Sequence, residues 1–143
     1  MGWLDKTKQA KQREIDKLAR EVDRSMAERK AKEEQGEAAI APALAPYRKV
    51  VEEFCSQTGW KIQGGWGGPA GDKSLTMVSA SRRGYIAGGS YEYHDFAYAS
   101  VTSAPLRTSV GSTRHGSNGF RQEFSGISEG RLRQVLEAFY LWY

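Results

Sequence analysis

Residues 75–106 read LTMVSASRRGYIAGGSYEYHDFAYASVTSAPL, and this stretch decides the class of the fold. Its apolar runs are short, and each stops at a glycine, a proline or a pair of arginines, the punctuation of strands joined by tight turns. Residues 75–81 predict a strand, and Arg82-Arg83-Gly84 predicts a turn. Residues 85–87 and 90–98 flank Gly88-Gly89, which suits a hairpin because glycine takes a positive φ without steric cost. Residues 101–106 predict an edge strand, since Pro105 has no N–H to give to a ladder.

Working outward, the alternation continues toward the C-terminus. Leu106, Thr108 and Val110 alternate with Arg107, Ser109 and Gly111, and Phe120, Gln122 and Phe124 alternate with Arg121 and Glu123. A period of two places each set on one face of a strand. Residues 114–119 between them, Arg-His-Gly-Ser-Asn-Gly, predict a hairpin loop. Residues 128–142 then switch to a helical period, with Ser128 as N-cap and Leu132, Val135, Leu136, Phe139, Tyr140 and Tyr143 on one wide apolar face. Upstream, residues 46–58 predict a second covering helix, with Pro46 in its first turn and Gly59 as its stop. Ile40, Leu44, Tyr47, Val51 and Phe54 recur at helical spacing there, and Val50 and Cys55 widen the stripe. The glycine-rich residues 64–71 read as a loop. The expected class is α+β: an antiparallel sheet of four to six strands packed by two helices within residues 46–143.

The first 36 residues have another composition. They hold 10 basic and 8 acidic side chains and no proline, and helix formers dominate. Leu4, Ile15, Leu18, Val22 and Met26 make a thin apolar stripe that Lys8, Lys11 and Arg29 interrupt. Residues 1–36 therefore predict a long charged helical arm, either solvated or zipped against a partner or its own copy through Ile15, Leu18, Val22 and Met26. Residues 37–45 predict a hinge, since Pro42 and Pro46 lack the N–H that a helix interior needs.

Several function classes are argued against. The net charge of +4 divides evenly between arm and remainder, so no basic tail marks a polyanion binder. A single cysteine leaves neither a disulfide nor a multi-cysteine metal site. No apolar run is long enough to span a bilayer, and the N-terminus lacks the apolar core of a secretory signal, so a cytoplasmic protein is the simplest reading. Gly71-Asp72-Lys73-Ser74 departs from a phosphate loop, because Asp72 stands where glycine must precede Lys-Ser, and a strand follows where a helix should open. Cys55 with His94 or His115 makes no nucleophile pair: Cys55 falls on an apolar helical stripe, and the two histidines follow no ligand spacing. No catalytic residue, metal or cofactor is expected.

Aromatic density is what stands out. Tyr85, Tyr91, Tyr93, Phe96 and Tyr98 fall close together, preceded by Arg82 and Arg83. Tyr and Arg are the residues that dominate partner interfaces, so Arg82, Arg83, Tyr91 and Tyr93 form the expected partner site, with the tyrosine pair on an exposed sheet face. If the C-terminal helix covers the face of Phe96 and Tyr98, the pair is left outside; covering by residues 46–58 would make it core instead. Residues 75–106 together with FRQEFSGISEGRLRQVLEAF, residues 120–139, resemble the bacterial pleckstrin-homology-like pattern of strand meander, hairpin and covering helix. The resemblance implies a binding or assembly module and carries over no catalytic residue. The expected function is thus a non-enzymatic interaction or assembly protein, its partner another protein or its own copies. The alternatives are a nucleic-acid-binding accessory protein, using Arg82, Arg83, Arg107 and Arg114, or a structural subunit of a phage-like particle.

Overall fold

A computed structural model describes residues 2–113 and 119–143. The fold is α+β: among the described residues there are two helices, a five-stranded antiparallel sheet and a separate two-stranded hairpin. Helix α1 runs Asp5–Thr58. Strands β1 (Lys61–Gly67), β2 (Asp72–Val78), β3 (Arg82–Ile86), β4 (Gly89–Tyr93), β5 (Phe96–Ser103), β6 (Leu106–Thr113) and β7 (Phe120–Ser125) follow, and helix α2 (Glu129–Trp142) closes the chain. The main sheet has the order β1-β2-β5-β6-β7, and β3–β4 is an excursion between β2 and β5. Two compact units divide the chain, residues 1–34 and residues 35–143.

The expected hinge at 37–45 is helical. Pro42 and Pro46 each remove one helical hydrogen bond, from the carbonyls of Ala38 and Pro42, but Ala38 and Pro42 are both exposed, so water can take over. On the opposite side Ile40, Ala43, Tyr47, Val50, Val51 and Cys55 are buried. Burying several such side chains at about 1.5–3 kcal/mol for each large one outweighs about 3 kcal/mol per interior proline. Gly36 is likewise no breaker. A Cβ there would sit 2.8 Å from Ser103 Oγ and 3.3 Å from the Gly71 backbone, so this glycine lets the helix approach the turn before β2. The helix stops where expected, at Thr58, with Gly59 at φ +81°.

Four expectations about the strands need correction. Arg82-Arg83-Gly84 is not a turn but the start of β3, paired with Tyr93, Glu92 and Tyr91 of β4. Residues 64–71 are not one loop, because β1 extends through Gly67 and pairs with β2 across an irregularity between Gln63 and Gly67. Residues 101–106 are not an edge strand. They end β5, turn at Ala104-Pro105 and start β6, so Pro105 escapes the ladder in a turn between two central strands. Residues 90–98 are two strands in different sheets, separated by His94 and Asp95. The hairpin loop expected at 114–119 lies outside the described residues except for Gly119.

The core is the inner face of the sheet, Leu75, Met77, Ala97, Ala99, Val101, Val110 and Phe120, under the buried stripe of α1 and Leu132, Leu136 and Phe139 of α2. Small Ala97 and Ala99 on the central strand let the helices settle closely, and Trp60, Phe139 and Tyr143 fill the end of the sandwich with edge and tilted ring contacts. One relay of hydrogen bonds joins α1, β6 and the start of α2. Ser128 N–H donates to Tyr47 Oη at 3.0 Å, and Thr108 Oγ1 donates to the Gly126 carbonyl at 2.9 Å. Tyr47 O–H must then donate to Thr108 Oγ1, at 2.6 Å, so every group in the chain is satisfied. Ser128 caps α2 as expected, its side chain accepting from Arg131 N–H.

Candidate functional site: the anchored hairpin

The excursion hairpin carries the expected partner residues, and its register sorts them. Arg82 pairs with Tyr93, Gly84 with Tyr91 and Ile86 with Gly89, so these six share one face. Arg83, Tyr85, Ser90 and Glu92 share the other. Tyr91 and Tyr93 point together, as the sequence predicts, but from the hairpin and not from the main sheet. Arg82 and Arg83 are separated onto opposite faces, and Arg83 stands across from Glu92.

Gly84 is required by this arrangement. A Cβ on it would meet the Tyr91 ring at 2.4 Å, so the ring occupies the space that only a bare glycine leaves open. From there a column of π systems runs inward. The Tyr91 and Tyr93 rings are 5.7 Å apart, the Arg82 guanidinium lies 6.0 Å from Tyr93 and 5.4 Å from Tyr143, and Tyr143 meets Trp60 of the core at 5.1 Å.

At the base of the hairpin the column is locked by a carboxylate. Asp95 is only 4 % exposed. Its Oδ2 accepts from Arg82 Nη1 at 3.1 Å and from the Tyr143 hydroxyl, while Arg82 Nη1 also reaches the Tyr143 oxygen at 3.1 Å. The Asp95 backbone N–H donates to Ser79 Oγ, and Ser79 N–H donates to the Asp95 carbonyl, which pins the two chain crossings together. The hydrogen bonds to Tyr143 and Asp95 hold the Arg82 guanidinium above its ordinary pKa, so it stays charged. Burial, then the bond to Asp95, holds the Tyr143 phenol above its own, so it stays a donor. Beyond this lock the hairpin is open: Tyr85 is 77 % exposed, Ile86 65 % and Tyr91 41 %.

The other expected residues lie elsewhere. Phe96 and Tyr98 are on the solvent face of the main sheet, opposite the helices, because the core takes the alanine parity of β5. Arg107 is bonded to Glu123 at 3.2 Å on that same open face. Arg114 and His115 lie outside the described residues. His94 Nδ1 bonds the Ser79 carbonyl at 2.8 Å, which makes it part of the crossing. Cys55 is buried, and burial, then the charge of Glu52, pushes its thiol up to about 11, the opposite of an activated nucleophile. Ile15, Leu18, Val22 and Met26 are all exposed on the arm. Among the described residues no three His, Cys, Asp or Glu side chains are placed to hold a metal ion, and no helix is long and apolar enough to cross a membrane.

No protein-family model, curated protein or solved structure matches this chain. The site is therefore read from its own geometry. The tyrosine pair and Arg82 stand out in the sequence, whereas the groups that hold them do not. Asp95 and Tyr143 are 48 positions apart, and no local pattern links a lone acid between strands to a tyrosine on a distant helix.

Proposed function

We propose that this protein is a non-enzymatic interaction or assembly module whose sheet domain docks another protein through the β3–β4 hairpin. The observation that carries this reading is the contrast within the hairpin between a locked base and an open end. Arg82, Asp95 and Tyr143 fix the base, whereas Tyr85, Ile86 and Tyr91 hold apolar area out to solvent. A two-stranded hairpin alone is marginal in water, so this bracing is what lets it present a fixed surface. Rigid tyrosines bring large contact area at little entropic cost, because preorganisation lowers what binding must overcome. The resemblance to pleckstrin-homology-like modules belongs to the same proposal, as the expectation of a binding domain without catalytic residues.

The test is a photocrosslinking residue at position 85 in cells that express the protein. The expected result is a discrete protein adduct that Ile86→Ser with Tyr91→Ser abolishes while the thermal transition is unchanged. An adduct of undiminished yield in that double variant, or none from position 85, refutes the reading.

A further inference from the structure

The apolar stripe of the arm is bordered by a charge pattern that selects what can cover it. On a helix, residues seven apart return to nearly the same side. Ile15, Leu18, Val22 and Met26 lie along one side of α1, each about half to two-thirds exposed. Glu14, Glu21 and Glu28, spaced by sevens, run along one border of that stripe. Gln12, Ala19 and Met26 occupy the other border and carry no charge, with Asp5 and Glu33 at its two ends. Along the line of the stripe itself, Lys8 and Lys11 precede Ile15, and Arg29 and Lys32 follow Met26. No ion pair among the described residues engages Glu14, Glu21 or Glu28.

A second copy of the arm is a poor cover for this pattern. Two arms parallel and in register would set Lys8, Lys11, Arg29 and Lys32 each against itself, around apolar layers at only Ile15, Leu18 and Val22. Glu14 and Glu21 would face Ala19 and Met26, which offer no counter-charge, and Glu28 would face Glu33. Turning one arm antiparallel about the centre of the stripe brings Lys8 and Lys11 against Lys32 and Arg29, again like against like. The stripe from Ile15 to Met26 is about 16 Å long, so its apolar area is too small to override these contacts.

We infer that the arm docks an amphipathic helix of a different protein, one with Lys or Arg beside its apolar seam facing Glu14, Glu21 and Glu28, and with acidic residues at the two ends of the seam. Border charges of opposite sign choose the partner, and the basic ends exclude the arm's own copy. The inference rests on the arm alone and is independent of the hairpin.

The experiment titrates the full chain with three synthetic helical peptides of about 28 residues, the length of four heptads. One carries Ile and Leu in the seam, Lys at the positions facing Glu14, Glu21 and Glu28, and Glu at the seam ends. The second keeps the seam and exchanges the charges. The third is this chain's own residues 4–33. The expected result is that the first binds at least about tenfold tighter than the second, with the ratio falling toward one as salt rises. The third does not bind, and the full chain sediments as a monomer. In the Glu14→Lys, Glu21→Lys, Glu28→Lys variant the preference between the first two peptides reverses, with circular dichroism confirming that the helix content is kept. Equal binding of the first two peptides, binding of neither, or a dimer of the full chain that Leu18→Glu dissociates overturns the inference.

Discussion

Asp95→Asn should loosen the hairpin without unfolding the sheet. The asparagine keeps the shape of the side chain, and its oxygen can still accept from Tyr143, but the charge that holds Arg82 at 3.1 Å is gone. Hydrogen bonds to a charged group contribute about 1.5–3 kcal/mol, against about 0.5–1.5 for neutral ones. The bonds from Arg82 and from Tyr143 both pass from a charged to a neutral acceptor, together about 2–3 kcal/mol, and the Arg82 side chain, 36 % exposed, recovers part of its hydration, so the loss should settle at about 2 kcal/mol. The main sheet keeps its own pairing across β2, β5 and β6, so this energy should appear as local opening of the excursion. A local opening easier by about 2 kcal/mol speeds amide exchange about thirtyfold. Hydrogen exchange followed by mass spectrometry should therefore show faster labelling of β3 and β4, with the amides of β5 and β6 nearly unchanged. Exchange in the hairpin within about twofold of the parent, or equal acceleration throughout the domain, would refute the idea that Asp95 locks this one element.

Other outcomes follow from the same geometry. Tyr47→Phe strands the Ser128 N–H and should destabilise by about 1–3 kcal/mol in urea titration, read by tryptophan fluorescence. With Thr108→Val the effects should be less than additive, because both substitutions cut one relay; strict additivity would show that the relay has no cooperative value. Gly84→Ala places a methyl within 2.4 Å of the Tyr91 ring and should displace that ring, changing the near-ultraviolet dichroism of the tyrosines at little cost to the core, whereas an unaltered spectrum would contradict the packing of Tyr91 on Gly84. Because the Cys55 thiol is raised from 9.0 to about 11 in the fold, the unfolded chain ionises first. Its contribution to stability is complete below pH 9 and is lost as the pH climbs toward 11, and Cys55→Ala should lessen the decline in that window. A decline of equal steepness in the variant would assign it to other groups.

Where the sequence could be read, a local rule was sufficient. Ser128 as a cap, Gly59 as a stop, the apolar face of α2 and the period-two pattern of β6 and β7 all depend on neighbours within one turn or one strand. The residues of the candidate site were only partly legible for the same reason. Tyr91 and Tyr93 share a face by strand parity alone, so their pairing follows from two positions in the chain.

What local rules could not reach was decided by burial and by distant partners. Pro42 and Pro46 argue for a break in any local reading, and the helix runs through them because its other side is pressed into the core. Glycines at 64 and 65 argue for a loop, and β1 forms because β2 offers it a ladder. The parity of β5 was open until the helices settled on Ala97 and Ala99, which turned Phe96 and Tyr98 outward. Asp95 acquires its role only when α2 brings Tyr143 to it across the fold, since a buried carboxylate must find donors wherever the packing places them.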